Sequence, residues 1–152
     1  MNKVTKKPLQ AGFTLIEILI VIGIIAILAA IVLVAVNPSK QFEKANNAQR
    51  SSNVNAILNA VGQYMVDNQG TIPSAIGTAA QNIGSGTGKS DICSAIMPTY
   101  LAALPADPTQ TTQSITSCTS YDTGYQIKKD TNNRITVSAP SAQGGVTISV
   151  TR

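Results

Sequence analysis

From Phe13 to Val36 the chain is apolar at almost every position, with polar side chains only at Thr14 and Glu17. At about 1.5 Å per residue this run makes roughly 36 Å of helix, enough to cross a hydrocarbon core of about 30 Å. A second pattern starts at Val54: Val54, Ile57, Leu58, Val61, Tyr64 and Met65 recur at steps of three and one. Such helical periodicity predicts one buried face, packed against a sheet rather than lining a cofactor site. The polar stretch between them, Lys40 to Asn55, is expected to leave the domain and face solvent or neighbouring chains. One helix from about Phe13 to Asn68 would be roughly 84 Å long, and Gly70 and Pro73 supply its stop. Asn37-Pro38 allows two readings, a kink or boundary in that helix, or an Asn cap with proline at the first position of a second one.

Residues 70 to 90 are rich in Gly, Ser, Thr, Ala and Gln without a sustained period, and predict loop. Gly84-Ser85-Gly86-Thr87-Gly88-Lys89-Ser90 ends like a phosphate-binding loop. The first glycine of that motif would fall at Ile83, however, and no apolar strand leads into it. Ile92, Ile96, Met97, Tyr100, Leu101 and Leu104 predict short helical turns, interrupted at Pro98 and ended by Pro105-Ala106-Asp107-Pro108. The carboxyl third reads as strands at Tyr125 to Lys129, Arg134 to Ala139 and Val146 to Val150. Asp130-Thr131-Asn132-Asn133 and Gln143-Gly144-Gly145 supply the turns. The predicted fold is therefore α+β. Three or four antiparallel strands lie across the face of a long helix, with helix to about 68, loop over 70–120 and sheet over about 125–151.

Composition narrows the function. A chain of 152 residues, 43% hydrophobic, holds one membrane segment and one small exported domain, 37–152, rather than two cores. The net charge of +4 comes largely from Lys3, Lys6 and Lys7, which leaves eight basic and seven acidic side chains from Phe13 onward. Basic residues before an apolar span orient it with that flank in the cytoplasm. No basic patch with interleaved aromatics follows, so nucleic acid is not expected as a direct ligand. The chain has no histidine and no tight carboxylate cluster in the exported part, which leaves a serine nucleophile without its usual base and argues against an enzyme. Cys93 and Cys118 both fall on the exported side, where a disulfide is expected and would stabilise a loop-rich domain by on the order of 3 kcal/mol. Two free thiols are the alternative. Two cysteines without histidine are too few ligands for zinc.

Glu17 is the residue that a membrane helix does not explain. An ionised group at membrane depth costs several kcal/mol unless it is paired, faces protein or snorkels to an interface. The leader before it is not a secretory signal either, because its small-residue junction, Ala11-Gly12, precedes the apolar run instead of following it. Ala35-Val36-Asn37, at the far end, is a poor cleavage site.

Gly12-Phe13-Thr14-Leu15-Ile16-Glu17 resembles the processing motif of type IV prepilins and the related pseudopilins, and the likeness covers about residues 1 to 40. It implies a leader peptide, 1–12, cut by a prepilin peptidase between Gly12 and Phe13, and N-methylation of Phe13. Residues 13–36 then form the transmembrane and filament-core part of a long helix in a type IV pilin-like fold, the other half of that helix packing on the domain. Glycine at the cut lets the backbone enter a narrow protease site. Glu17 would assist entry into a filament by neutralising the terminal ammonium of a neighbour, since docking the two offsets much of the burial penalty of each. The implied partners are the peptidase and methyltransferase, identical or related pilin subunits, an inner-membrane assembly platform, and membrane lipid before assembly. The implied location is the inner membrane with the leader cytoplasmic, then a surface or envelope filament. A type IV pilus is the favoured reading. A pseudopilus of type II secretion or DNA uptake uses the same chemistry, and an uncleaved single-pass binding protein is the rival of another class. Pro105-Ala106-Asp107-Pro108 is similar to a connection found in secretion pseudopilins, some of which bind calcium in this region. Asp107, Asp122 and Asp130 could supply oxygen ligands for it, or act only as turn and surface residues. No other cofactor is expected.

Overall fold

A computed structural model describes residues 12–152. The lysines of the leader, Lys3, Lys6 and Lys7, and most of the 1–12 segment lie outside the described residues. The chain divides between Pro38 and Ser39 into two compact units.

The first unit is helix α1, Leu15–Val36. None of its side chains is buried, and its large apolar residues are 48% to 84% exposed. At 22 residues it is about 33 Å long, and among the described residues it is the one helix long and apolar enough to cross a membrane. A helix hydrophobic on every side has no inward face of its own and needs lipid or other helices around it.

Helix α2, Pro38–Asp67, follows directly. The expected continuous helix is thus interrupted. Asn37 adopts a left-handed conformation (φ 45°, ψ 78°) that ends α1, and Pro38 opens α2. Pro38 takes the first position of a second helix, as one of the two readings has it, and Asn37 is the C-cap of α1: proline lacks the donor that α1 would need to continue, whereas a first turn leaves that N–H unused.

The second unit builds its core on α2. Val54, Ile57, Leu58 and Val61 are buried and Tyr64 and Met65 partly so, as the periodic stripe predicts. Opposite them stands a four-stranded antiparallel sheet in the order β1-β4-β5-β6: Gln81–Gly84, Asp122–Lys129, Ile135–Ala139 and Ile148–Thr151. Register places Ile127 across from Val137, and Val137 across from Val150. Alternation then turns Thr123, Tyr125 and Ile127 inward from β4, and Ile135, Val137 and Ala139 inward from β5. Between β1 and β4 lie α3, Cys93–Ile96, and a two-stranded ribbon, Leu104–Pro105 (β2) with Ser114–Ile115 (β3).

Two expectations are corrected. The 70–120 loop contains β1, β2 and β3 besides α3, which falls where short helical turns are expected, and the sheet takes its first strand from the glycine-rich region. Gly84 ends β1 where a Cβ would lie 2.8 Å from the Tyr121 carbonyl oxygen, so glycine lets the two backbones meet. The Lys40 to Asn55 stretch does not simply leave the domain, because its polar residues Arg50 and Asn53 are buried. Polar residues there are matched by polar partners on the sheet side, which composition along one strand of sequence cannot reveal.

Candidate functional site

The start of α1 holds the predicted processing and assembly residues. Gly12 and Phe13 are exposed, Phe13 at 86%. Thr14 is the N-cap in an extended conformation, and its hydroxyl accepts the Glu17 N–H at 3.3 Å. Glu17 returns the contact: its Oε2 accepts from the Thr14 N–H and from the Thr14 hydroxyl, each at 2.8 Å. This reciprocal capping box satisfies two N–H groups that a helix terminus leaves without partners. It also sets a carboxylate at the positive end of the helix dipole. The signature Thr14-Leu15-Ile16-Glu17 was legible in the sequence but was not among the expectations above, which weighed Glu17 only against lipid and a neighbour's amine. The acid therefore has a partner within its own chain, three residues away.

A second constellation lies under α2. The guanidinium of Arg50 is fully buried; Nε donates to Asp107 Oδ2 at 2.7 Å and Nη2 to Asp107 Oδ1 at 3.0 Å. Burial alone would push the Asp107 carboxyl up, but bonds from Arg50 and Thr109, with the Arg50 charge, outweigh it and hold the group below the ordinary aspartate range. Asn53 donates to the Ala106 carbonyl at 3.1 Å and to the Tyr125 hydroxyl at 2.9 Å. Asn47 clamps a single residue of the β5–β6 loop, accepting from the Gln143 N–H at 3.0 Å and donating to its carbonyl at 2.8 Å. α2 is thereby keyed to the connection at Ala106-Asp107 and to the loop at Gln143. The bidentate fork fixes both rotation and axial position of the helix, a geometric role that apolar packing performs less specifically.

The remaining candidates stay apart. Asp122 takes the Lys89 ammonium at 2.6 Å and the Gly124 N–H at 2.8 Å, and Asp130 takes the Arg134 guanidinium at 2.7 Å. With Asp107 committed to Arg50, each of the three acids considered for calcium already faces a cation. Among the described residues no group of three or more acids, cysteines or histidines is placed to hold a metal. Cys93 and Cys118 are joined in a disulfide with their Cα atoms 5.5 Å apart, tying α3 to the approach of β4. Lys89 and Ser90, which end the glycine-rich run, are used inside the fold: Ser90 is buried, and its N–H bonds the Asn82 carbonyl at 2.9 Å.

Comparison with known proteins agrees with this amino-terminal site. The prokaryotic N-terminal methylation motif matches residues 7–33. The chain is similar to type II secretion system core protein G of Aeromonas hydrophila, 40% identical over 63 residues, which are 41% of this chain and 43% of that protein. It is also similar to type II secretion system core protein G of Escherichia coli (strain K12), 42% identical over 59 residues, 39% of each chain. The chain thus spans about two fifths of the length of the curated relatives it matches. No solved structure matches it. A methylation motif set on an exposed, capped apolar helix, followed by an α+β domain, makes the amino-terminal part of the chain similar to the type IV prepilins and pseudopilins.

Proposed function

We propose that this chain is a structural subunit of a type IV pilus-like filament, cleaved between Gly12 and Phe13, methylated on Phe13 and polymerised through α1. The observation that carries this reading is α1 itself: wholly exposed, apolar on all sides, and bearing one acid in its first turn. Such a helix rests in lipid before assembly and among identical or related helices afterwards. The prepilin peptidase and methyltransferase supply the covalent chemistry, and an inner-membrane platform drives assembly. The chain acts as substrate and building block, without an active site or a required cofactor of its own. The precursor sits with its leader in the cytoplasm and its α+β domain outside.

Mass spectrometry of the mature amino terminus, with electron microscopy of sheared filaments, tests the reading. A methylated Phe13 and filaments are expected; a chain that keeps Met1 and forms no filaments sinks it in favour of an uncleaved anchored protein. A second reading, that the filament is a pseudopilus of a type II secretion system, is supported by the names of both relatives. Deleting the chain from its host separates the two. Loss of protein secretion with no change in surface filaments selects the pseudopilus, and the reverse selects the pilus.

A further inference from the structure

The carboxyl-terminal half of α2 carries an open groove of about 1050 Å³, lined among others by Leu58, Gly62, Val66, Tyr100, Ile135 and Arg152. Its apolar rim is bare: Val66 is 80% exposed. Gly62 lies within the groove, and a Cβ placed on it would meet nothing within 4 Å. Glycine is the poorest helix former after proline, and nothing within the chain requires it at this point. A glycine in an exposed helix interior suits the close approach of another molecule to the backbone.

Besides Val66, the large apolar side chains exposed in the exported unit are Phe42 at 71%, near the start of the same helix, and Val146 at 53%. Phe42 and Gly62 are 20 positions apart, so they stand about 30 Å apart along α2 and about 200° apart around it. Two apolar features on opposite faces and at opposite ends of one helix cannot meet within a chain or across a two-fold axis that repeats a single patch. They suit a head-to-tail contact, which propagates instead of closing. Both sides carry both signs of charge: Phe42 lies among Lys40, Glu43 and Lys44, and the groove is bordered by Asp67 and by Arg152, whose guanidinium is held by Asn59 Oδ1.

We propose that Phe42 of one copy inserts into the Gly62–Val66 groove of another, a contact between exported domains that adds to the packing of α1. The proposal rests on the filament reading above. A large side chain filling a well-packed, desolvated pocket is how interface anchors concentrate binding energy.

Two variants test it in the full chain, expressed in its host. Ala45→Cys with Gln63→Cys places exposed thiols beside each half of the contact while leaving Phe42, Gly62 and Val66 in place. A short bismaleimide, which does not react with the Cys93–Cys118 disulfide, should convert filaments into a ladder of multimers. Neither single variant should form cross-links. Gly62→Leu should lower filament yield about tenfold without lowering the thermal midpoint of the subunit, since the leucine fills the groove and favours helix. Wild-type filaments are imaged first, so that their absence refutes the filament reading, whereas normal filaments without a ladder refute the groove alone. Dimers from either single cysteine overturn the head-to-tail geometry, and an unchanged yield from Gly62→Leu overturns the groove.

Discussion

Replacing Asp107 with alanine strands the guanidinium of Arg50 in the core. Arg50 is fully buried, so water cannot take over the two charge-assisted bonds it loses, at 2.7 and 3.0 Å. Each such bond contributes about 1.5–3 kcal/mol, and breaking a buried pair by deleting one partner costs about 3–5 kcal/mol. A loss near 4 kcal/mol is expected, a large fraction of the roughly 5–15 kcal/mol that holds a domain of ordinary stability. The assay is a urea titration of the full chain in detergent, followed by tyrosine fluorescence because the chain has four tyrosines and no tryptophan. The double variant Arg50→Met with Asp107→Leu should recover most of the loss, since it removes the stranded charge and leaves an apolar pair. Acid supplies an independent check. The folded-state pKa of Asp107 lies below its ordinary value, so its stabilisation is complete above about pH 4, declines as pH falls through the folded value, and is absent below it. Asp107→Ala should therefore flatten the acid limb of the stability curve. A loss under about 1 kcal/mol for Asp107→Ala, or a double variant no better than the single one, would refute the claim that this pair keys α2 to the sheet.

Three further outcomes follow from the same structure. Glu17→Ala should leave cleavage after Gly12 intact on mass spectrometry but abolish filaments, and normal filaments from it would remove Glu17 from assembly. Thr14→Val deletes the hydroxyl half of the capping box and should cost the helix start about 1 kcal/mol, read as faster amide exchange at Glu17; unchanged exchange would show that the cap is idle. Replacing Cys93 and Cys118 with serine should lower stability by on the order of 3 kcal/mol and speed proteolysis between them, whereas equal protease resistance would deny the bridge its role.

Much of this architecture is written in nearest-neighbour and short-period patterns. The Phe13 to Val36 run, the acid at Glu17, the stripe from Val54 to Met65 and the alternation of Ile135, Val137 and Ala139 each follow from chemistry within a few residues. Such patterns dictate which face of an element turns inward whatever it later meets. The Thr14-x-x-Glu17 cap belongs to the same class, for its partners are three positions apart and its motif is local. Gln81–Gly84 is different. Four residues with two amides and a glycine carry little strand preference, and they become a strand because Gln81 and Asn82 find Ile127 and Gln126 across the sheet. Arg50 and Asp107 are likewise 57 positions apart, and only the folded chain decides that a polar stretch of α2 is buried. A charged side chain in sequence carries no mark of whether its counter-charge waits in solvent or beneath the helix. That depends on which distant segment the topology delivers to it, and here the delivery is made by the Leu104–Pro105 ribbon and the loop after β5.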